Sequence, residues 1–415
     1  MKKLLSVLLA CVLICIAFTG CNNAPATSGT TTPAATSESP SQTTKESVSI
    51  TIWTNFMVEA EMLQKHADKW AEKTGNKAQV INTSIELQQF AQATNNADGP
   101  DGIFGIANDQ LASFVTAGLV AEVPNDFYKD SEFTNASVQA SYVDGKRHGV
   151  PIAVETITLF YNTDKVKSPP ATWDDLLKTA KTSGGIKFDA TSIYYDLGFI
   201  GAFDSYIFKW ENNKYDIENI GLGNEGAIKG YGYIQKMVEE GFITADITFD
   251  IARSAFESGE TAFYIGGPWD VDAFKAAGVN FAVAEMPTLN GKPFATPVGT
   301  QVGFVSSKTK KSDAVWDFYK YLMDEAAVEM YEVGARIPAR LSVQQQIKID
   351  ETTKGFMNQI ANGEPLPSVP ELGHLWEPYS NNMRLMFGGK ITPEEAAKHI
   401  ETQFKEAIDL MHSGK

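Results

Sequence analysis

The amino-acid sequence predicts an α/β protein with two lobes, each a mostly parallel sheet flanked by helices. Short runs with strand periodicity alternate with longer helical patterns, which is typical of α/β folds. The chain has 415 residues, of which 43% are hydrophobic, and this length suits two ordinary domains or one large two-lobed body. No internal repeat and no second low-complexity linker interrupts the body. Two lobes joined by several crossings therefore fit better than two separate domains on a string.

The first 20 residues have the features of a secretory signal. Two lysines precede an apolar run over 4–18, which is too short for an ordinary membrane span. The segment FTGC at 18–21 resembles a bacterial lipobox, although leucine is usual at its first position. We expect removal of residues 1–20 and attachment of lipid to Cys21, which would anchor the protein on the extracellular face of the cell membrane. An ordinary signal with an incidental cysteine is the alternative.

Residues 22–47 predict a disordered tether. They contain twelve Ser or Thr and no aromatic or large aliphatic residue, so they bury too little apolar area to offset the entropy of ordering. Together with Cys21 they form a tether (21–47) that holds the folded body off the membrane. The body begins at about Val48 and contains none of the 3 cysteines. Disulfides, thiolate metal sites and cysteine nucleophiles are therefore excluded from it.

Several functional classes are disfavoured by the residues present. With a formal net charge of −16, the chain does not have the positive electrostatic field that is typical of a nucleic-acid-binding protein. The sequence has no Walker motif, no HExxH or comparable cluster among its 5 histidines, and no GxSxG elbow. The segment GLGNEG at 221–226 has the spacing of a dinucleotide fingerprint, but it follows a polar run, so a turn that opens a helix is the better interpretation. We expect no cofactor, no metal and no nucleic-acid partner.

The first elements of the body follow from periodicity and capping. Residues 48–53 alternate with period two and predict a strand, and residues 77–83 predict a second one. Residues 59–74 place their apolar side chains on one helical face and end before a glycine, as an amphipathic helix does. A further helix is expected from Asp109, with Asn108 as its cap.

Later elements follow from the same signals. Thr172 is expected to cap a helix, because a carboxylate follows at the third helical position. The last helix has the strongest start signal in the chain, with Thr392 as cap, Pro393 first and Glu395 third. The remaining strands and long helices are expected at 262–265, 281–285, 225–240 and 313–333.

Large aromatic residues stand beside turn or strand-end signals. Trp269 follows a predicted strand in IGGPW, Trp376 lies in the loop-like GHLWEP, and Tyr194 follows DATS. Because ligands in open α/β folds sit at strand ends, these rings are candidates for ligand stacking. For any one tryptophan alone, core packing is the better interpretation, and only a shared pattern favours a binding surface.

Seven segments of the body together form a shared pattern, and the pattern includes Trp269. They are GPDGIF (99–104), VPIAVET (150–156), FYNTD (160–164), PPATW (169–173), FKWENNKYDI (208–217), AFESGETA (255–262) and GGPW (266–269). With these segments in nearly collinear order, the sequence from Val48 to the C-terminus resembles the maltose/maltodextrin-binding proteins, the solute receptors of sugar ABC importers.

The resemblance implies a periplasmic-binding-protein-like fold (type II), in which two α/β lobes are joined by three hinge crossings and close over a sugar. The implied crossings lie near 154–157, 298–302 and 338–342. The implied lobes are an N-terminal lobe of 48–153 plus 303–337 and a C-terminal lobe of 158–297 plus 343–415.

The resemblance also implies five sugar-contacting residues, namely Asp109, Glu155, Tyr194, Trp269 and Trp376. Three positions depart from the family, because Gln110, Ser192 and Ser380 stand where it has Arg, Glu and Arg. The family's Asp-Lys pair after the first strand is also absent around 57–58. The stacking surfaces are kept while several charged hydroxyl-binding groups are not. This pattern implies an α-glucan-like ligand in general rather than maltose in particular.

The expected function is that of a monomeric receptor that binds an oligosaccharide and delivers it to an ABC importer, whose permease and ATPase subunits are separate chains. One alternative is the same fold with another oligosaccharide of the manno-, xylo- or cyclodextrin type. A second is a secreted glycoside hydrolase that uses Asp109 and Glu155 as its paired carboxylates. A purely structural surface lipoprotein would leave the loop aromatics unexplained. We expect a binding protein and not an enzyme.

Overall fold

A computed structural model describes residues 47–96 and 99–414. The expected signal peptide, Cys21 and all of the tether except Ser47 lie outside these residues. Within them, the strands β1 to β15 in chain order are Ser49–Thr54, Lys77–Asn82, Gly102–Ala107, Tyr142–Val143, Lys146–Arg147, Val150–Thr156, Thr158–Asn162, Ile186–Lys187, Phe208–Glu211, Lys214–Ile220, Phe263–Gly266, Phe281–Ala284, Pro297–Val305, Ile337–Pro338 and Glu364–Pro365.

The helices α1 to α15 of the same residues alternate with these strands. They are Ala60–Thr74, Leu87–Ala93, Asn108–Thr116, Asn135–Ala140, Trp173–Ser183, Ile193–Gly201, Glu225–Glu239, Phe249–Glu257, Val271–Ala276, Ser312–Glu325, Ala327–Gly334, Leu341–Gln344, Glu351–Ile360, Trp376–Phe387 and Pro393–Ser413. Short 3₁₀ turns occupy Asp130–Glu132, Pro268–Asp270 and Pro370–His374. In the described part of the chain, no helix is long and apolar enough to cross a bilayer.

The first sheet has the strand order β14-β6-β13-β3-β1-β2, and β15 pairs with β13. Strand β1 is parallel to β2 and β3, whereas β13 is antiparallel to both β3 and β6. The expectation of a mostly parallel sheet is therefore wrong for this sheet, which is mixed. Strand β6 leads towards the second sheet and β13 returns from it, so the two run in opposite directions.

The second sheet has the order β12-β7-β11-β8 and is also mixed. Strand β7 is antiparallel to β11 and β12, and only β8 is parallel to β11. The antiparallel partners β11 and β12 follow β7 only about a hundred residues later in the chain, and the predicted alternation of strands and helices carries no information on the direction of such long-range pairs. The α/β class itself is confirmed, and the error concerns the direction of the strands.

Helices cover both faces of the first sheet. Ile50 and Ile52 pack with Leu63 of α1 and Phe318 of α10 in one cluster. On the opposite face, Ile103 packs with residues of α2 and α3 in another cluster. Burial of both faces explains why β3 is a continuous apolar run with no alternation of polar residues.

The three crossings implied by the resemblance lie on neighbouring strands. In the register of the first sheet, Glu155 of β6 faces Gly299 of β13, and Ile337 of β14 faces Val154 of β6. The ranges 154–157, 298–302 and 338–342 are therefore adjacent in space. The lobe boundaries that these crossings imply stay a prediction.

Local helix signals were reliable predictors of α1, α5 and α15. Helix α1 buries the predicted face and ends at Gly75 in a left-handed conformation with φ of 75°. The hydroxyl of Thr172 accepts from the backbone N–H of Asp175. Thr392 and Glu395 form a reciprocal capping box at the start of α15.

Two helix predictions are corrected. Asn108 is the first residue of α3 and does not cap it, because its buried side chain is bound elsewhere. Its amide donates to the carbonyl of Leu366 and to Ser368 Oγ, and its oxygen accepts from the backbone N–H of Thr300. The single helix expected at 313–333 is divided into α10 and α11 at Ala326, where φ is −106°.

Candidate functional site

Asp109 lies in the first turn of α3, directly after strand β3. The residue is solvent-exposed, yet the surrounding protein partly desolvates its carboxyl group and raises its pKa. Backbone N–H groups of Asp109 and Gln110 oppose this effect, because they favour the charged carboxylate. An acceptor held in this way at the end of a buried strand is available to a ligand.

Glu155 is the last residue but one of β6 and is half-buried. Its neighbour on β13 is Gly299, where an added Cβ would lie 3.1 Å from Glu155 Cγ. Burial raises the pKa of Glu155, and the charge of Asp109 raises it further. Arg336 and the side-chain amide of Gln301 oppose the shift by favouring the charged form. The effect of the Asp109 charge on Glu155 indicates that α3 and β6 present the two carboxylates to the same region.

Tyr194 is the third predicted residue in the region of these two carboxylates. It is the second residue of α6, whose cap is Ser192, and the Ser192 hydroxyl accepts from the backbone N–H of Tyr194. Burial raises the pKa of the Tyr194 hydroxyl, and the charges of Glu155 and Asp109 raise it too. Its phenol therefore stays protonated and can donate a hydrogen bond. The structure thus places Asp109, Glu155 and Tyr194 close enough for the two carboxylate charges to act on the phenol.

Trp376 shares a recess with Asp109. This recess has a volume of about 280 Å³ and is also lined by Gln110, Phe114 and Pro370. Trp376 is the first residue of α14, is half-buried, and packs partly against the largest hydrophobic cluster. The side chain therefore combines a structural contact with an accessible part beside a carboxylate.

Trp269 lies in the 3₁₀ turn Pro268–Asp270 that follows β11, and it is 44% exposed. Among the aromatic pairs of the described residues, the ring of Tyr194 pairs with that of Tyr195 (5.6 Å between centroids, 74° between planes) and not with Trp269. Burial raises the pKa of the Tyr195 hydroxyl, and the charge of Asp270, the residue after Trp269, raises it further. Direct ring-to-ring contact between Trp269 and the other predicted residues is absent from the described part of the chain.

Two residues that act on Glu155 were not predicted as site residues from the sequence. Gln301 is buried on β13, and Arg336 precedes β14 and donates from Nε to Glu59 Oε1 at 2.8 Å. The Arg336 guanidinium also lies 4.7 Å from the centre of the Phe56 ring. Both residues are placed by pairing between strands that are distant in sequence, so no local motif could have identified them.

Two polar atoms of β13, the strand that pairs with the strand of Glu155, have no hydrogen-bond partner in the described part of the chain. Within residues 47–96 and 99–414, Thr300 Oγ1 and Gln301 Oε1 are buried without a hydrogen-bond partner. Buried polar atoms of this kind normally have a partner, which can be a ligand or a water. In the same residues, no group of three or more His, Cys, Asp or Glu side chains could hold a metal ion.

The three positions at which the sequence differs from the family have identifiable local environments. Ser192 caps α6, Gln110 lines the recess beside Asp109, and Ser380 is half-buried on α14. Each offers a neutral hydrogen-bonding group where the resemblance implies a charge.

Comparisons with known proteins agree with the fold. The family model described as bacterial extracellular solute-binding protein matches residues 65–357. A galactooligosaccharide-binding protein of Bacillus subtilis (strain 168) is 33% identical over 340 residues, which cover 77% of this chain and 80% of the relative. A maltooligosaccharide ABC transporter solute-binding lipoprotein of Streptococcus pneumoniae (strain ATCC BAA-255 / R6) is 31% identical over 319 residues, which cover 72% of this chain and 74% of the relative.

Among solved structures, a cyclo/maltodextrin-binding protein complexed with maltotetraose is similar, with a TM-score of 0.84 and 27% identity. The alignment covers 88% of this chain and 99% of that structure. The two-lobed fold and the resemblance that implied it are thereby confirmed. The chain belongs to the family of bacterial extracellular solute-binding proteins.

Proposed function

We propose that this protein binds a neutral oligosaccharide in the cleft between its two lobes and delivers it to the membrane permease of an ABC importer. The observation that carries the proposal is the convergence of Asp109, Glu155 and Tyr194, because the charge of Asp109 acts on Glu155 and both charges act on the Tyr194 hydroxyl. These residues come from α3, β6 and α6, which are far apart in sequence. Such a convergence beside three adjacent crossing strands is the geometry that a closing cleft requires.

The chemistry of this cluster suits a sugar. A pyranose has an apolar face of C–H groups and a rim of hydroxyl groups. The aromatic rings of Trp269 and Trp376 can cover the face, and the carboxylates of Asp109 and Glu155 can accept from the rim. Charged acceptors form stronger hydrogen bonds than neutral ones, and exclusion of water on closure strengthens them further.

A maltodextrin-like oligosaccharide is the favoured ligand. One relative is named for maltooligosaccharides, and the similar solved structure holds maltotetraose. Galacto-oligosaccharides are the second ligand class, because the relative that is 33% identical is named for them. The neutral residues Gln110, Ser192 and Ser380 favour a ligand whose hydroxyl groups at these places need no ionic partner.

Closure occurs about the strands β6, β13 and β14, at 154–157, 298–302 and 338–342. The adjacency of these strands in the first sheet supports this assignment, because three neighbouring crossings can bend as one hinge. The moving lobes are 48–153 plus 303–337 and 158–297 plus 343–415.

The protein acts as a monomer on the extracellular face of the membrane, held by lipid on Cys21. The printed name of the pneumococcal relative as a lipoprotein and the extracellular character of the family support this location. The permease and the ATPase that it serves are separate chains.

The oligosaccharide is returned intact. Nothing distinguishes Asp109 and Glu155 as a general acid and a general base. The family model describes solute-binding proteins, and binding requires no cleavage of the sugar. After prolonged incubation with maltotetraose, chromatography should recover only the starting sugar. Shorter products that disappear in a Glu155→Gln variant would instead support a glycoside hydrolase with Asp109 as the second carboxylate.

A thermal-shift screen of the mature chain carrying Cys21→Ser tests the ligand class. The panel contains maltose, longer maltodextrins, cyclodextrins, and galacto-, cello-, xylo- and manno-oligosaccharides. A ligand at a hundred times its dissociation constant should stabilise the folded protein by about 2.7 kcal/mol. The Glu155→Gln variant is the control, because it should respond less to the same sugar. A panel without any shift would contradict the proposed function.

A further inference from the structure

The loop that carries Trp269 is fastened by a buried carboxylate. Asp270 follows Trp269 directly and is 0% exposed, whereas Trp269 is 44% exposed. Asp270 Oδ2 accepts from the Tyr264 hydroxyl at 3.1 Å and from the backbone N–H of Gly267 at 3.3 Å. Arg253 Nε lies 3.4 Å from the other oxygen, Oδ1, which is an ion-pair distance without a hydrogen bond. One carboxylate therefore connects α8, β11 and the turn before Trp269.

The turn is too tight for side chains at its two glycines. A Cβ at Gly267 would lie 2.4 Å from the Trp269 ring, and a Cβ at Gly266 would lie 2.5 Å from Asp270 Oδ2. The indole thus rests against the backbone of Gly267, and the carboxylate closes the same turn from its buried side. One part of the ring is therefore covered by the protein, and the other part faces solvent.

The same carboxylate also faces the second predicted aromatic segment. The charge of Asp270 acts on the Tyr195 hydroxyl, and the Tyr195 ring lies 5.6 Å from that of Tyr194. Asp270 therefore lies close enough to Tyr195, near the start of α6, for its charge to act on that hydroxyl.

A buried carboxylate is a costly way to stabilise a fold. Desolvation of the charge opposes folding, and well-packed apolar groups of similar size often give equal or greater stability. The geometry gives the group another role, because Asp270 Oδ2 binds Tyr264 of β11 and the backbone N–H of Gly267, directly before the turn that carries one exposed ring.

We propose that Asp270 is a positioning residue for ligand binding, which fixes the orientation of Trp269 through the turn from Gly267 to Asp270. The proposal rests on the proposed function, since it assumes that Trp269 contacts the oligosaccharide. Asp270 itself does not touch the sugar.

A double-mutant cycle tests this role in the mature chain carrying Cys21→Ser. The variants are Asp270→Asn, Trp269→Ala and the double variant, each titrated with maltotetraose. Asp270→Asn should weaken binding about tenfold, which is about 1.4 kcal/mol. The double variant should bind no more weakly than Trp269→Ala alone, because the carboxylate acts through the ring. Additive losses of affinity would overturn the proposal.

Asp101→Asn is the matched control. Asp101 is also a buried carboxylate, and it accepts from the backbone N–H of Thr51 and from Lys311 Nζ. It lies beside the first sheet, away from the turn of Trp269. This variant should lose melting temperature as Asp270→Asn does, with its affinity for maltotetraose unchanged. A loss of affinity equal to that of Asp270→Asn would show a general effect of destabilisation and would also overturn the proposal.

A spectroscopic measurement without sugar separates this proposal from the proposed function. The near-ultraviolet circular dichroism of Trp269 is obtained as the difference between the parent and Trp269→Ala spectra. In the Asp270→Asn background this difference should shrink or change shape, whereas Asp101→Asn should preserve it. An unchanged difference would refute the positioning role. If no oligosaccharide binds to the parent, the proposed function fails, and the spectra still decide whether Asp270 orients the ring.

Discussion

Replacement of Trp269 by Ala should weaken oligosaccharide binding by up to about a hundredfold. The residue is 44% exposed, so of the roughly 250 Å² that a tryptophan can bury, about 110 Å² is free for a sugar to cover. At about 25 cal/mol per Å², this area contributes about 2.7 kcal/mol, which corresponds to about a hundredfold in Kd. Full coverage by the ligand sets the upper limit of the effect.

The assay is calorimetric titration with maltotetraose, combined with the melting temperature of the sugar-free protein. Trp316→Ala is the control, because Trp316 is a half-buried ring on α10 that packs on Phe127 with 4.9 Å between ring centres. The control should lower the melting temperature and leave affinity unchanged. Trp173→Ala marks the behaviour of a core residue, since Trp173 is fully buried and its loss should cost about 3–5 kcal/mol in stability.

Two results would refute this reasoning. Trp269→Ala could bind maltotetraose as tightly as the parent, which would show that the ligand does not cover the ring. Alternatively, it could lose as much melting temperature as Trp173→Ala while the folded fraction keeps its affinity. Either result would return Trp269 to the role of a packing residue.

Two carboxyl groups and the predicted lipid site lead to further expected results. Burial raises the pKa of Asp196 well above its ordinary value. The stability that this group contributes is therefore complete below about pH 4 and is lost as pH rises towards the folded-state pKa. Asp196→Asn keeps an oxygen for the Tyr379 hydroxyl, 2.9 Å away in the parent, and should flatten the pH dependence of the unfolding free energy; an unchanged slope in denaturant titrations would contradict this. Since burial also raises the pKa of Glu155, the affinity of the parent should fall as pH is lowered through that pKa, and Glu155→Gln should bind more weakly without that dependence. A pH-independent parent would count against Glu155 as an acceptor. Cys21→Ser should move the protein from the membrane fraction to the soluble fraction with its sugar affinity unchanged, and retention after carbonate washing would exclude lipid attachment as its anchor.

Elements with local signals were predictable from the sequence. The apolar face of α1, the cap at Thr172 and the capping box at Thr392 each lie within a few residues of the helix that they define. Capping and amphipathic periodicity depend on neighbours in sequence, so these helices need no knowledge of the rest of the fold.

Strand direction and long-range contacts were not predictable in this way. The antiparallel entry of β13 depends on its return from the second sheet, about 140 residues after β6. Asn108 has the residue type of a cap, but its side chain binds segments 192 and 260 residues away instead. Tertiary contacts outweighed the local preference of Asn108.

The candidate site shows the same division. The family resemblance identified Asp109, Glu155 and Tyr194, which the fold brings together. It could not identify Gln301 or Arg336, because these residues reach Glu155 through strand pairing. Asp270 was also missed, since no motif shows that a carboxylate after a tryptophan turns back to fasten the same loop.

The central claim is that the cluster of Asp109, Glu155 and Tyr194 lies in the cleft that binds an oligosaccharide. Calorimetric titration of the mature Cys21→Ser chain, and of the same chain with Glu155→Gln, tests this claim most directly. We predict saturable one-to-one binding of a neutral oligosaccharide to the parent and a loss of at least about tenfold in the variant, because a charged acceptor is replaced by a neutral one. Equal affinity of the two proteins for the sugar, or the absence of binding to the parent across the maltodextrin and galacto-oligosaccharide series, would contradict it.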